Sequence, residues 1–263
     1  MKNQKSIELN KVLRDIAFAL LTFNFTFLNA QAQHLSKKVL FLGNSYTYVN
    51  NLPQMVADVA TSMGDTLIFD SNTPGGCTLE QHFADNTSRN KIMAKGWDYV
   101  ILQEQSQLPA MEDYSQFFNG SHELCNLINQ YNPCARTMFY MTWGRQNGDA
   151  PSWPPVSTYE GMDSLLHLRY MEIALYNNAG VSPVGAVWRY VRQHYPGIVL
   201  YQSDGSHPSV AGTYVAACCF YTALFHKNPA LITYNYTLSP TEAADIRNAA
   251  KIIVYDSLQM PIL

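Results

Sequence analysis

Lys38-Val39-Leu40-Phe41-Leu42-Gly43-Asn44-Ser45 is the stretch that decides how this chain reads. Its apolar residues run without polar alternation, the mark of a strand covered on both faces, as in parallel sheets. Gly43 ends the run and a short polar turn follows. Similar runs recur at Thr66-Leu67-Ile68-Phe69, Asp98-Tyr99-Val100-Ile101-Leu102-Gln103 and Thr137-Met138-Phe139-Tyr140-Met141-Thr142, with a shorter fifth at Ile198-Val199-Leu200-Tyr201. Helical patterns separate them at 52–63, 79–94, 114–131, 159–178, 184–194 and 209–226. In the fourth of these, Leu165, Leu168, Met171 and Leu175 read as a core stripe. A last helix follows Ser239-Pro240, an N-cap with proline at the first helical position. Strand–helix alternation predicts one doubly wound α/β domain, three layers around a central parallel five-stranded sheet.

The chain has 263 residues, 47% of them hydrophobic and 14% charged, so it can bury a large core and is not of the disordered class. With 17 basic and 20 acidic side chains it lacks the broad basic field that a phosphate backbone requires, and nucleic acid is not an expected partner. Residues 1–32 read as a secretory signal peptide. Lys2, Lys5, Lys11 and Arg14 precede an apolar run from Ile16, and Ala30-Gln31-Ala32 fits the small-x-small cleavage pattern. Asn24, Thr26 and Asn29 interrupt the run, which argues against a membrane span. The expectation is a domain over 33–263, secreted or periplasmic, without stable membrane insertion after cleavage. Without residues 1–32, 13 basic groups face 18 acidic ones, a balance of −5. Export would permit disulfides. Cys77, Cys125, Cys134, Cys218 and Cys219 are an odd set without C-x-x-C spacing; Cys218 and Cys219 read as core residues, and Cys125 with Cys134 is the one candidate bridge.

Ligands of open α/β sheets bind at the carboxyl ends of the strands. Gly43-Asn44-Ser45 stands at the end of the first strand, where a serine can present both its hydroxyl and its amide. Far along the chain, Asp204-Gly205-Ser206-His207 places a carboxylate three residues before a histidine in a tight turn. Such a carboxylate can hold one ring nitrogen and leave the other free as a base. No G-x-S-x-G elbow, H-E-x-x-H pair or G-x-x-x-x-G-K-[ST] loop is present. Each motif alone also reads as ordinary turn chemistry.

Together, and in this order, the two motifs resemble the SGNH (GDSL-type) hydrolases, whose nucleophile lies in a G-D-S block and whose base lies in a D-x-x-H block. The resemblance extends to Pro74-Gly75-Gly76-Cys77-Thr78-Leu79 after the second strand and Gln103-Glu104-Gln105-Ser106-Gln107 after the third. It implies the flavodoxin-like SGNH hydrolase fold and ester hydrolysis by Ser45, His207 and Asp204, with no metal or organic cofactor. It also implies an oxyanion hole made by the amides of Ser45 and Gly76, with Gly75 the neighbouring choice. Two positions depart from the pattern. Asn44 replaces the usual Asp, and the family's Asn donor is absent, leaving Gln105 or Gln107 to supply the side-chain amide. Trp143 and Arg145, at the end of the fourth strand, are candidate pocket residues, whereas Trp153 reads as packing its Pro-rich loop onto the domain. The expected activity is release of short acyl groups, acetyl foremost, from a small-molecule or glycan ester. A lipase or lysophospholipase, or a non-catalytic carbohydrate-binding protein on the same fold, is the alternative.

Overall fold

The computed structural model describes residues 34–258; the signal-peptide reading of 1–32 lies outside them. Five strands run parallel: β1 (Ser36–Leu42), β2 (Thr66–Asn72), β3 (Tyr99–Leu102), β4 (Arg136–Tyr140) and β5 (Gly180–Ser182). Their order is β2-β1-β3-β4-β5, the flavodoxin-like doubly wound arrangement. The helices are α1 (Ser45–Tyr48), α2 (Leu52–Ser62), α3 (Leu79–Ala84), α4 (Asn86–Met93), α5 (Ser115–Tyr131), α6 (Tyr159–Tyr176), α7 (Val184–His194), α8 (Val210–Phe225) and α9 (Pro240–Ala250).

Successive strand side chains point to opposite faces, so continuous apolar strands feed two cores. Val39, Phe41, Ile101 and Tyr140 meet α2, α7, α8 and α9 on one face. Leu40, Leu42, Val100 and Phe139 meet α3 to α6 on the other. Helix α8 is buried on nearly every side, Cys218 and Cys219 included, so it belongs to the core itself. Helix α9 starts as read: Ser239 and Glu242 form a capping box, with Pro240 in the first turn.

Three readings are corrected. The fifth strand is Gly180–Ser182, not Ile198–Tyr201. Ser182 pairs with Tyr140, while the later run makes only an isolated bridge, Tyr201 to Pro208, and leaves Val199 exposed. The stripe at Leu168, Met171 and Leu175 faces solvent, with Leu175 85% exposed; α6 instead buries Met162, Leu166, Tyr170 and Ile173. Cys125 and Cys134 are both free, the first buried and the second exposed, and burial pushes the Cys125 thiol up to about 12.

Candidate active site

The strands deliver β1, β2, β3 and β4 to one edge of the sheet, and the turns after them carry the polar blocks. Backbone approach is close after β1. A Cβ at Gly43 would stand 2.6 Å from both Gln103 Oε1 and Thr47 Oγ1, so a larger residue would displace the side chains that bond this turn. Asn44 caps α1, its Oδ1 accepting from the Tyr46 amide at 3.2 Å. The same oxygen accepts from Gln103 Nε2 at 2.8 Å, while Asn44 Nδ2 donates to the Cys77 carbonyl at 3.0 Å. An aspartate could not make that last bond, because a carboxylate only accepts. Asn44 is therefore a strut between the first and second blocks.

Ser45 follows on the first turn of α1. His207 Nε2 lies 2.8 Å from Ser45 Oγ, and His207 Nδ1 lies 2.5 Å from Asp204 Oδ2. The carboxylate can only accept, so Nδ1 carries the proton and Nε2 is left to accept from the serine hydroxyl. Asp204 Oδ1 also accepts from the amides of Ser206 and His207 at 2.9 and 3.0 Å. Burial alone would raise the Asp204 carboxyl. The bonds from the His207 ring and from those two amides outweigh it and hold the group below the usual range. Asp204 thus stays ionised beside the ring.

A cavity of about 340 Å³ opens over Ser45 and His207, bordered by Gly75, Gly76, Gln105 and Arg145. A larger one, about 620 Å³, lies at the opposite end of the sheet beside Tyr99, Arg136 and Gly180, which start β3, β4 and β5; it holds none of the residues picked from the sequence. Gly76 has φ of 69°, a backbone conformation that glycine adopts without strain. Gln105 borders the cavity, and its Oε1 accepts from the amides of Gln107 and Leu108 at 2.7 and 3.2 Å, which pins the carboxamide. One of its N–H groups goes to Gln107 Oε1 at 3.1 Å.

Two candidates lie away from the cavity wall. Gln107 does not border the cavity; its Nε2 donates one N–H to Asp149 Oδ2 at 2.5 Å, and its Oε1 accepts from Gln105. Trp143 is fully buried and cannot touch a ligand. It is stacked between Tyr46 and Trp188, at ring separations of 4.7 and 3.8 Å. Arg145 does border the cavity, its Nη1 held by Asp149 at 3.0 Å. Trp153 packs as read, its Nε1 donating to the Ala110 carbonyl at 3.0 Å.

The sequence reading missed Gln103, Glu104 and Tyr46. The one available signal was a glutamine and a glutamate closing an otherwise apolar strand. Gln103 Oε1 accepts from the Asn44 amide and from Thr47 Oγ1, both at 2.9 Å. Glu104 is fully buried, accepting from the Gln105 amide at 2.6 Å and the Leu79 amide at 3.2 Å, and so joins the second and third blocks. Burial pushes its carboxyl up to about 8, against the pull of the two amides. A raised carboxyl binds its proton more tightly in the folded state. Its stabilisation is full below about 4.3, the ordinary value, and is lost as pH climbs toward the folded value. Glu104→Gln keeps an oxygen for both amides and cannot ionise. Its melting temperature relative to the parent should therefore rise between about pH 5 and about pH 8, as thermal melts across that window will read. A constant difference would show that Glu104 does not titrate there.

No protein-family model matches the sequence, and no curated protein matches it. Solved structures do. A DUF4886 family protein from Bacteroides uniformis superposes with a TM-score of 0.72 at 21% identity, covering 86% of this chain and 96% of its own. A protein provisionally described as an SGNH hydrolase, from Slackia heliotrinireducens, gives 0.61 at 24% identity, covering 72% and 99%. The fold is that of the SGNH hydrolases. An acetyl xylan esterase shares it at a TM-score of 0.52 and 16% identity, covering 71% of this chain and 99% of its own. On this SGNH fold the turns after β1, β2 and β3 and the loop before α8 converge on one cavity, which is where the four sequence blocks lie.

Proposed function

We propose that the protein is an exported serine esterase that removes short acyl groups, acetyl first, from a small-molecule or glycan ester. The observation that carries this reading is the continuous chain Ser45 Oγ, His207 Nε2, His207 Nδ1, Asp204 Oδ2, with links of 2.8 and 2.5 Å, at the mouth of a cavity.

In this reading Ser45 Oγ attacks the acyl carbon while His207 Nε2 takes its proton. The carbonyl π electrons move to oxygen, and the amides of Ser45 and Gly76 with the free N–H of Gln105 receive that charge. His207 then returns the proton to the departing alcohol, leaving an acyl-Ser45. Water repeats the sequence with His207 as base, releasing the acid and restoring the serine. Asp204 keeps the ring in one tautomer and balances the imidazolium. Arg145, fixed by Asp149, would hold a carboxylate or sugar hydroxyl on the alcohol side. The acetyl xylan esterase that shares the fold makes a glycan acetate the first natural substrate to try.

The cavity is small, and Gln105, Ser106, Arg145 and Ser206 make much of its wall polar. A longer acyl chain gains about 0.8 kcal/mol per methylene only where that methylene is buried. The test is hydrolysis of p-nitrophenyl esters from acetyl to palmitoyl. Acetyl and butyryl esters should have the highest kcat/KM, with a fall beyond them. A rate that climbs steadily to palmitoyl would favour a lipase, and no hydrolysis of any ester would favour a binding protein.

A further inference from the structure

The loop that carries the base has little regular structure of its own. His207 and Asp204 are about one-third and one-half exposed, so burial does not immobilise them. Asn50 Nδ2 donates to the Pro208 carbonyl at 3.2 Å behind the base, and three further bonds from elsewhere reach Gly205 and Ser206 just before it. The Gln146 amide donates to the Gly205 carbonyl at 2.8 Å, and Trp143 Nε1 donates to the Ser206 carbonyl at 3.1 Å. The third joins the hydroxyls of Tyr46 and Ser206 at 2.7 Å. Tyr46 is the residue directly after the nucleophile, and its ring is buried. One face of that ring stacks on Trp143, nearly coplanar at 2°, and the His207 ring meets it edge-on at 5.5 Å.

Tyr46 therefore has no freedom to rotate without leaving the stack, and its hydroxyl meets the loop next to the base. A rigid column of Tyr46, Trp143 and Trp188 runs from the nucleophile's turn into α7, and Ser206 is tied to two of its three rings. We propose that Tyr46, acting through Ser206, is a positioning residue that fixes His207 against Ser45. The proposal rests on the esterase reading for its catalytic meaning, but its structural content is independent of that reading. Base and nucleophile lie 162 positions apart in the chain, and a displacement near 1 Å in such a pair can cost about 10²-fold in rate. The phenol of the residue beside the nucleophile transfers the position of one to the other directly.

Tyr46→Phe and Ser206→Ala each remove the same bond and leave the aromatic stack in place. Both should lower kcat on p-nitrophenyl acetate by about 10-fold with KM nearly unchanged. The double variant should be no worse than the poorer single, since one bond cannot be lost twice. A second readout does not need turnover: the low-field Nδ1 proton of His207, followed by NMR in the full chain. Its exchange with water should quicken by about 10-fold in either variant, as the loop opens more often. That exchange decides the tether, whereas ester hydrolysis by the parent decides the esterase reading. Unchanged exchange in both variants would overturn the tether, even with a lowered kcat, because the phenol would then act in some other way. A parent protein whose Nδ1 proton is too labile to observe would overturn it as well.

Discussion

Ser45→Ala and His207→Ala are each expected to lower kcat on p-nitrophenyl acetate by about 10³-fold or more while leaving the melting temperature nearly unchanged. Ser45 Oγ pairs with His207 at 2.8 Å, and neither side chain fills the core, so truncation leaves no large cavity. The double variant should be no slower than either single one, because a nucleophile without its base and a base without its nucleophile are equally idle. Asp204→Asn is the sharper companion. Its oxygen can still accept from the Ser206 and His207 amides, so the turn survives. Its amide would donate toward Nδ1, move the proton to Nε2 and leave nothing to accept from Ser45. That loss should be about 10²–10⁴-fold in kcat, read by steady-state kinetics on purified protein. Parent-level activity in Ser45→Ala would rule out this mechanism.

Gln105→Ala is expected to lower kcat by about 10²–10³-fold with KM little changed, since an oxyanion donor matters mainly in the transition state. The carboxamide oxygen of Gln105 accepts from two amides and one of its N–H groups goes to Gln107, so the side chain is ordered, and in the proposed mechanism its second N–H serves the oxyanion. The entropy of ordering a glutamine side chain is thereby spent in folding, before any substrate binds. Gln107→Ala should be milder, about 10-fold or less, because Gln107 acts only by holding Gln105 and bonding Asp149. Gln105→Glu is the control: it keeps the shape, donates nothing and opposes the oxyanion, so it should be at least as slow as the alanine variant. Equal, small effects at both positions would leave the amides of Ser45 and Gly76 as the whole oxyanion hole.

The cores of β1 and β3 and most helices were legible because continuous apolar runs and helical periodicity report local burial directly. Ser45, Asp204 and His207 were legible as candidates because two polar turns, each ordinary alone, together resemble the ordered blocks of the SGNH hydrolases. Gly180-Val181-Ser182 was not legible as a strand. A three-residue edge strand pairs on one side only, and its small residues carry no apolar run to announce it. Ile198–Tyr201 has the more strand-like composition, yet no neighbour offers it a ladder. The stripe read on α6 failed for a related reason: Leu165, Leu168, Met171 and Leu175 share a helical face as well as Met162, Leu166, Tyr170 and Ile173 do, yet of the first set only Leu165 packs against the core. Only the position of the sheet selects which face is covered.

The sequence by itself determined the layered α/β class and the end of the sheet where the candidate blocks lie, and its resemblance to the SGNH hydrolases picked out Ser45, His207 and Asp204, which the fold brings together. The first two follow from periodicity and from turn chemistry, which act over a few residues. Only the tertiary structure set Gln105 at the cavity and Gln107 beside Asp149, moved Trp143 from the pocket wall to a buried stack, and showed why Asn44, Gln103 and Glu104 are polar where the surroundings are not. Those assignments depend on which donor meets which acceptor across 25 to 160 positions of chain, as in Glu104 with Leu79 or Tyr46 with Ser206. A buried polar group is tolerated only when such a partner is in place, and no local pattern encodes where that partner will be.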